Sequence, residues 1–427
     1  MRKFPDVTLE KLLMNTTIDT TDFNAIFTTH TADKYTVLEF KKGNHNVIIY
    51  DPGLYHTAIC KSALCRIDKT DGKLYYRGVS AEKKVTDDYL DVAFEIIFNT
   101  GDAEKKKFKS HVTSHFQLYD EQKALLDALP LSTHPMDVLG IATTALGGIE
   151  NKYLSNPNDL IEKAAFLIAS VAITVSYRYT KLKGNTWIAP KLTRPYSEQI
   201  LYQMHSGKDE TRIKKLGKIL NMIMILHAEH GQNCSAVTVR SIASARGSIY
   251  SGVAGGMAAF NGIIHGGASQ LVSQMYDELL ESNLDVDSYV SAKVKKKELL
   301  MGFGQRTYNR LLGCWDPRVE TMYRTLTDPE FDFPEVDEYK KAAIALIDRV
   351  IHDPFFKARN LTPNPDLFNC IFYKLFGAPR EMNTVMLGLG RISGWVANFI
   401  EHTTDQIPLT RPCDIEKGSS LDSSKSS

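Results

Sequence analysis

Cysteine is scarce in this sequence of 427 residues, and the few cysteines present stand apart from one another. They form no Cys-x-x-Cys pair; the six are Cys60, Cys65, Cys234, Cys314, Cys370 and Cys413. A zinc knuckle or a disulfide-stapled fold needs closely spaced cysteines, so the sequence predicts neither. The same scarcity favours a reducing compartment.

The sequence also lacks a net charge. Lysine and arginine together number 51, against 50 aspartates and glutamates, which leaves a formal charge of +1. A chain without an overall field has no long-range attraction for nucleic acid or for an anionic membrane, so neither partner is expected. Any anionic ligand must therefore be bound by arginines placed locally.

Long hydrophobic runs are absent as well. The longest apolar stretch, from Ala164 to Tyr177, is shorter than the roughly 20 residues that cross a bilayer, so it predicts a buried core helix. The start, MRKFPDVTLEKLL, contains acidic residues and no apolar core, which argues against a secretory signal. The last residues are not the SKL address of peroxisomes. We therefore expect a cytoplasmic protein.

The chain is long enough for two domains, and its local patterns change along its length. The first part contains β-branched runs such as YTVLEF and HNVIIY, which are typical of short strands. From about Lys84 to Ile264 apolar residues recur mostly at helical spacing, and they do so again from Val385 to Ile400. The predicted parts are a β-rich segment at 1–65, a large helical domain at 66–269 to which 384–412 returns, a smaller helical domain at 270–383, and a disordered tail at 413–427.

Three histidines stand in motifs that could carry chemistry. His227 and His230 lie three apart in ILHAEHGQN, so on a helix both imidazoles project from one face, and His265 follows in IIHGGAS. No metal site is expected, because HAEH differs from HExxH and no cysteine or carboxylate stands at a ligand spacing. A single helical histidine is more often a hydrogen-bonded structural residue. Only the three together favour a functional role.

Four charged residues in the second half complete the candidates. They are an aspartate in a proline-rich loop and three arginines: Asp366 in LTPNPDLF, Arg318 in CWDPR, Arg391 in GLGRISGW and Arg411 in LTRP. GLGRISG lacks the GxGxxG spacing, so it does not predict a dinucleotide-binding loop. Each of the four is ordinary alone, and the information lies in their order along the chain.

The motifs resemble, in order and approximate spacing, those of the citrate synthase family. They are HAEHGQN, HGGA, FGQRTY followed by DPR, PNPDLF, GRISGW and a late TRP, preceded by DPGLYHTAICKSALCRIDKTDGKLYYRG and STHPMD, which resemble the bacterial-type branch. The similarity extends from about Tyr50 to Pro412. It implies a mainly α, citrate-synthase-like fold with a large helical domain, a smaller closing domain and a small N-terminal β segment.

The resemblance implies a Claisen-type condensation of an acyl-CoA with oxaloacetate, followed by hydrolysis of the thioester. Forming an enolate from a thioester requires a base at the α-carbon and a hydrogen-bond donor at the thioester oxygen. By resemblance Asp366 is the base, His265 is the donor, and the residue at position 305 acts on the oxaloacetate carbonyl. Acyl-CoA is then a co-substrate, and no metal or redox cofactor is expected.

The carboxylates of oxaloacetate call for planar guanidinium groups. The resemblance implies that Arg318, Arg391 and Arg411 bind them, and that His230 contacts oxaloacetate with His227 beside it. In the family the late arginine reaches the partner subunit. The resemblance therefore implies a homodimer, or a higher oligomer, with shared active sites.

Gln305 is the main departure from the family's pattern, which has a histidine at this position. A glutamine amide donates a hydrogen bond but has no titratable proton, so it can polarise a carbonyl without serving as an acid. In addition, HGGAS ends in Ser269 where HGGAN is common. Extra residues around LLGCW follow Gln305, near the place where the resemblance puts Arg310 on a CoA phosphate.

These departures favour a specialised member, an alkylcitrate synthase of fungal secondary metabolism that accepts a longer acyl-CoA. Two alternatives stay open. One is a housekeeping citrate or 2-methylcitrate synthase. The other is a catalytically silent paralogue that binds a dicarboxylate or CoA, which the loss of a histidine at position 305 would suit.

Overall fold

A computed structural model describes the strand backbones at 27–29, 36–40 and 47–50, and residues 51, 53–54, 57–68, 71–304, 308 and 315–412. Gln305, Arg310 and the predicted disordered tail lie outside the described residues. Contacts group the chain into two units, one of Ser62–Leu409 and one of the residues up to Lys61 with those from Thr410 onward. The predicted boundary between large and small helical domains at 269/270 stays a prediction.

The smaller unit contains a three-stranded antiparallel sheet. Its strands are β1 (Phe27–Thr29), β2 (Thr36–Phe40) and β3 (Val47–Tyr50), paired in the order β1-β2-β3. The β-branched runs TVLEF and VIIY supply β2 and β3, as residues that suit a pleated strand. The predicted N-terminal β segment is thus confirmed.

A second antiparallel sheet opens the larger unit. It consists of β4 (Cys65–Asp68), β5 (Lys73–Tyr76) and β6 (Val79–Ser80). The Tyr76 ring at the end of β5 is buried, and its hydroxyl donates a 2.9 Å hydrogen bond to the carbonyl of Ile225. This bond fixes the sheet against the last turn of a long helix that leads into the candidate active site.

Helices make up most of the larger unit, which confirms the predicted mainly α fold class. In chain order they are α1 (Tyr89–Ile97), α2 (Asp102–His115), α3 (Asp120–Ala128), α4 (Pro135–Tyr153), α5 (Leu160–Lys183), α6 (Tyr196–Met204), α7 (Glu210–His227), α8 (Cys234–Ser244), α9 (Ile249–Phe260), α10 (Ala268–Glu281), α11 (Val286–Lys296), α12 (Pro317–Thr327), α13 (Asp337–His352), α14 (Pro354–Lys357), α15 (Asp366–Leu375) and α16 (Asn383–Thr404). Short 3-10 turns occupy Ala81–Lys84, Pro334–Val336 and Arg380–Met382.

Helix α5 is the core helix predicted from the apolar stretch. It begins after Asp159, whose carboxylate accepts the backbone N–H of Ile161, and it ends at Gly184 in the left-handed conformation (φ 64°). With 24 residues it is longer than the apolar run, and it is long and apolar enough to cross a membrane. Most of it is buried inside the larger unit, as in the core of a soluble domain.

Helix α16 is also mostly buried, and it passes close to the end of α7. A Cβ atom at Gly390 would lie 2.6 Å from the carbonyl oxygen of Met224, and one at Gly394 would collide with Glu229. The glycines of GLGRISG therefore permit two helices to approach each other closely. The motif lies inside a helix, not at a strand-to-helix turn, so it has no dinucleotide-loop geometry.

Candidate active site

The end of α7 is the centre of the candidate site. The helix ends at His227, and His230 lies in the segment beyond it, so the expectation that both imidazoles project from one helical face is wrong. The chain leaves helical geometry after His227 and passes through Gly231 with a φ of 64°, while Tyr76 and Arg391 bond carbonyls of the last turn. The two imidazoles consequently have different partners.

Arg391 approaches this helix end from α16. Its Nε donates a 2.7 Å hydrogen bond to the carbonyl oxygen of His227, and its side chain is 4 % exposed. Among the described residues no carboxylate lies within ion-pair distance of its guanidinium. Burial lowers the pKa of Arg391, while the more distant Glu229 opposes that effect. A buried guanidinium without a direct counter-ion is costly, and an anionic ligand would remove the cost.

Arg318, at the start of α12, has a counter-ion of its own. Its Nε and Nη2 donate to the two carboxylate oxygens of Asp316 at 3.0 and 2.6 Å, and Asp316 is fully buried. Burial disfavours the charge on Arg318, but this carboxylate more than compensates and raises the pKa of the guanidinium. Two nitrogens are engaged by Asp316, which leaves Nη1 to meet a ligand carboxylate.

His230 contacts Tyr308 and feels the charges of both arginines. Its Nε2 is 3.3 Å from the Tyr308 hydroxyl, and that tyrosine is buried. Burial and the positive charges of Arg318 and Arg391 hold the pKa of His230 well below its usual range. The imidazole is therefore neutral at pH 7, and its tautomer can be set by Tyr308.

His265 is held in the turn between α9 and α10. Its Nε2 lies 3.1 Å from the Ser235 hydroxyl, and its ring packs edge-on against Phe260. Burial, with Arg391 contributing, lowers the pKa of His265 to about 4, so the ring is neutral at pH 7.

Ser235 controls which nitrogen of His265 carries the proton. Its oxygen accepts the indole N–H of Trp395 at 3.0 Å and lies 2.7 Å from the amide oxygen of Asn233. In the structure the hydroxyl donates to that amide oxygen, so His265 Nε2 carries the ring proton and donates to Ser235. A turn of the hydroxyl would direct its proton to His265 Nε2 instead. When it goes to His265, Nδ1 carries the ring proton and is able to donate a hydrogen bond to a ligand.

Asp366 is the first residue of α15, and the loop before it is hydrogen-bonded to the segment that ends at Gly304. Gly304 donates its N–H to the Thr362 carbonyl at 2.7 Å, and Asn364 donates its N–H to the Gly302 carbonyl at 2.9 Å. This short ladder carries the chain before position 305 alongside the loop that leads to Asp366. Burial raises the pKa of Asp366 to about 6, and Asn369 and Arg318 oppose the rise.

Asn369 is a site residue that the sequence reasoning did not identify. It is fully buried one turn after Asp366, and its amide oxygen lies 2.9 Å from Nε2 of His227. Its amide group also stabilises the charged form of Asp366. Its spacing of three residues from Asp366 could have indicated a shared role, because residues three apart lie on one helical face. Its contact with His227, 142 positions away in the chain, could not be predicted from the sequence.

We expect Asn369→Leu to make activity more sensitive to acid. Without the amide, the pKa of Asp366 rises further, so the carboxylate is protonated at a higher pH and its action as a base fails earlier. The acid limb of the kcat/KM profile should move upward, with a larger loss at pH 6 than at pH 8. Asn369→Asp should move the limb further in the same direction, since a second carboxylate repels charge. If the acid limb of the profile stays in place in both variants, Asn369 does not influence the pKa of Asp366 and serves only in packing.

The structure thus brings together His227, His230, His265, Arg318, Asp366 and Arg391 in the larger unit. Their charges influence one another. The charge of Arg391 lowers the pKa of all three imidazoles, and the charge of Arg318 lowers the pKa of Asp366. Arg411 belongs to the smaller unit, where it is exposed. Its predicted role, like those of Gln305 and Arg310, stays a prediction.

A buried carboxyl group, neutral imidazoles and guanidinium groups together define an acid–base enzyme for an anionic substrate. The family model "Citrate synthase, C-terminal domain" matches residues 53–413. Citrate synthase 1 of Mycobacterium tuberculosis is 31% identical over 383 residues, which cover 86% of this chain and 87% of that protein. The chain belongs to the citrate synthase family of transferases, as the sequence motifs had predicted.

Solved structures agree with this assignment. Citrate synthase of Thermotoga maritima matches with a TM-score of 0.73 at 28% identity, over 86% of this chain and 95% of that one. A ternary complex of Thermoplasma acidophilum citrate synthase with carboxymethyl coenzyme A and oxaloacetate matches with a TM-score of 0.77 at 25% identity, over 86% and 96%. The predicted citrate-synthase-like fold is confirmed.

Proposed function

We propose that this protein condenses an acyl-CoA with oxaloacetate and hydrolyses the resulting thioester, releasing CoA and a citrate or alkylcitrate. The observation that carries this proposal is Asp366, a buried carboxyl group of raised pKa that feels the charge of Arg318, in the same site as Arg391, a buried guanidinium without a direct counter-ion among the described residues. A related citrate synthase is known with oxaloacetate and a CoA analogue together, which fits the two proposed substrates.

The first step is removal of a proton from the α-carbon of the acyl-CoA by the Asp366 carboxylate. A pKa of about 6 leaves most of this carboxyl ionised at pH 7 and makes it a stronger base than an exposed aspartate. His265 donates from Nδ1 to the thioester oxygen as charge develops there, and for this the Ser235 hydroxyl turns from Asn233 to donate to Nε2. The enolate carbon then attacks the ketone of oxaloacetate.

Oxaloacetate is bound by the charges around the end of α7. Arg391 and Nη1 of Arg318 receive its carboxylates, and Arg411 of a partner subunit adds a third guanidinium. His230 contacts the ketone side, while His227 and Asn369 keep that region ordered. Formation of the carbon–carbon bond turns the ketone oxygen into an alkoxide, which takes up a proton. Water then attacks the thioester and CoA leaves as the thiol.

Several features of the proposal come from the family resemblance: a homodimer or higher oligomer with shared sites, a closing small domain, Arg310 on a CoA phosphate, and chemistry that uses no metal or redox cofactor. The closing domain would exclude water and order the acyl-CoA site only after oxaloacetate binds. The cytoplasmic location stays a prediction.

Gln305 is assigned to the ketone of oxaloacetate. Its amide supplies a hydrogen bond but no proton, so the alkoxide must be protonated by another group or by water. We expect Gln305→His to raise kcat, because an imidazole adds a titratable proton to the same position. The measurement is oxaloacetate-dependent CoA release. Gln274→His, the same change on the exposed face of α10, is the control. A lower kcat would instead make Gln305 a feature required for specificity.

Within this activity we infer that the acyl group is longer than acetyl, as in the alkylcitrate synthases of fungal secondary metabolism. The support is the changed residue at 305 and the extra residues around LLGCW. A housekeeping citrate or 2-methylcitrate synthase is the alternative for the same fold. A silent paralogue is disfavoured, because a protein without catalysis has no need of a buried carboxyl group of raised pKa in a site with buried guanidinium groups.

The experiment is release of CoA thiol by the purified protein, with and without oxaloacetate, from acetyl-, propionyl-, hexanoyl- and octanoyl-CoA. Preference for a longer chain supports the alkylcitrate assignment, whereas preference for acetyl- or propionyl-CoA gives the housekeeping alternative. Absence of oxaloacetate-dependent release from all four would overturn the proposed activity. Thermal stabilisation by oxaloacetate under that condition would identify a silent binding protein.

A further inference from the structure

A second cluster of ionisable side chains lies away from the proposed active site, where the end of α2 meets the start of α5. It contains His111 and His115, one helical turn apart on α2, and Glu162 in the first turn of α5. None of the three takes part in the proposed reaction. We propose that these side chains form a binding site for one Zn²⁺ ion.

The distances among the three side chains match metal ligands better than hydrogen bonds. Nδ1 of His111 lies 3.8 Å and Nε2 of His115 lies 3.5 Å from the same oxygen, Oε1 of Glu162. All three ligand atoms fall within 4.8 Å of one another. In a tetrahedral site with metal–ligand bonds of 2.0–2.1 Å, ligand atoms are separated by roughly 3.3 Å. A small inward movement would therefore complete three positions of a tetrahedron.

His115 provides an independent indication of a ligand. Its side chain is only 5 % exposed, and Nε2, the nitrogen that faces Glu162, has no hydrogen-bond partner among the described residues. Its other ring nitrogen is 2.9 Å from the Tyr119 hydroxyl. An imidazole that is oriented through one nitrogen and presents the other to a carboxylate has the arrangement of a metal-bound histidine with its supporting partner.

Glu162 is held in place by the backbone. Its two oxygens accept the N–H groups of Ser155 and Asn156 at 2.8 and 2.9 Å. These bonds fix the carboxylate while leaving lone pairs for an ion. The nearby positive charges are already neutralised, since Lys107 pairs with Asp159 and Lys163 pairs with Glu150.

The chemistry of the set selects the ion. Two imidazoles and one carboxylate suit Zn²⁺, whereas Ca²⁺ and Mg²⁺ prefer oxygen ligands alone. Three protein ligands leave a fourth position for water. Because the ion would join α2 to α5, the core helix, its binding stabilises the folded protein and leaves the condensation reaction unchanged.

The test is titration of the chelator-treated protein with Zn²⁺ by calorimetry, together with Co²⁺, whose absorption reports a tetrahedral site. We expect one ion per chain and a higher melting temperature with Zn²⁺. His111→Gln should weaken Zn²⁺ binding by about 100-fold or more, since it removes a ligand. It should also abolish the increase in melting temperature that Zn²⁺ causes. His111 is partly exposed, so this variant should fold and retain its catalytic rate.

His352→Gln is the matched control, because His352 forms an exposed histidine–carboxylate pair with Asp348 on α13 but has no second imidazole. It should bind Zn²⁺ as the wild type does. The proposal is overturned if the wild type binds no Zn²⁺, or if His111→Gln binds with unchanged stoichiometry and affinity. In the latter case any Zn²⁺ bound belongs to other side chains, such as the exposed Cys234.

Discussion

Oxaloacetate-dependent CoA release should fall by about 10²–10⁴-fold when Asp366 is replaced by asparagine, the usual contribution of a general base. The substituted amide has nearly the same shape and cannot accept the α-proton. The position itself tolerates the change, because the backbone N–H of Asp366 is bonded to Asn364 and the side chain begins α15 without a required capping bond. The measurement is kcat at pH 8, where the wild-type carboxylate is fully ionised.

The same substitution, Asp366→Asn, should not reduce the stability of the protein although it reduces activity. The folded pKa of Asp366, about 6, lies above its ordinary value, so this carboxyl group contributes stability below its unfolded pKa and loses that contribution as the pH rises through about 6. At pH 7 a neutral asparagine removes this penalty, and Asp366→Asn should melt no lower than the wild type. Asp332→Asn, the same change at an exposed aspartate outside the helices, is the control and should keep both activity and stability. Unchanged product formation by Asp366→Asn would rule out the assigned base.

Arg391→Met should raise the KM for oxaloacetate by about 10²-fold or more while leaving the fold intact. Each charge-assisted hydrogen bond lost is worth about 1.5–3 kcal/mol, and a bidentate carboxylate contact contains two. The guanidinium has no carboxylate within ion-pair distance among the described residues. The buried carboxyl group of Glu229 feels its charge from further away, but burial has already raised the pKa of Glu229 to about 7, so this group can take up a proton when Arg391 is removed. The hydrogen bond that the substitution removes from the folded protein is the one to the carbonyl oxygen of His227.

Arg318→Met provides the contrast. It should also weaken oxaloacetate binding, but it leaves the fully buried Asp316 without its partner, which typically costs about 3–5 kcal/mol. The melting temperature should therefore fall much further in Arg318→Met than in Arg391→Met. Equal destabilisation of the two variants, or an unchanged KM in Arg391→Met, would contradict the view that Arg391 is reserved for a ligand.

Much of the fold could be predicted from the sequence because periodicity is a local property. The apolar runs that became α5 and α16 and the β-branched runs of β2 and β3 each bury a face determined by neighbouring residues. The end of α7 was predicted less well. Its position after His227 depends on contacts with α16 and with the Tyr76 hydroxyl, which a local pattern does not contain.

The site was predicted in its residue types but not in its pairings. Asp366, His265 and the arginines stand in motifs that resemble a family. Asn369 and Tyr308 depend on contacts with His227 and His230 that span 142 and 78 positions, and only the folded chain brings these together. The same holds for the difference between Arg318 and Arg391. Arg318 is paired with a buried aspartate two residues away, whereas Arg391 bonds the last carbonyl of α7 and has no carboxylate at ion-pair distance among the described residues.

The uncompensated charge of Arg391 has a consequence for the lifetime of the protein. A dianionic ligand that supplies the absent counter-charge adds its binding energy to the free energy of unfolding, about 2.7 kcal/mol at a ligand concentration a hundred times its Kd. Degradation by cellular proteases draws on the unfolded fraction, so a supply of ligand lowers the rate at which the protein is destroyed. The abundance of this enzyme would then follow the concentration of its own substrate without any change in gene expression.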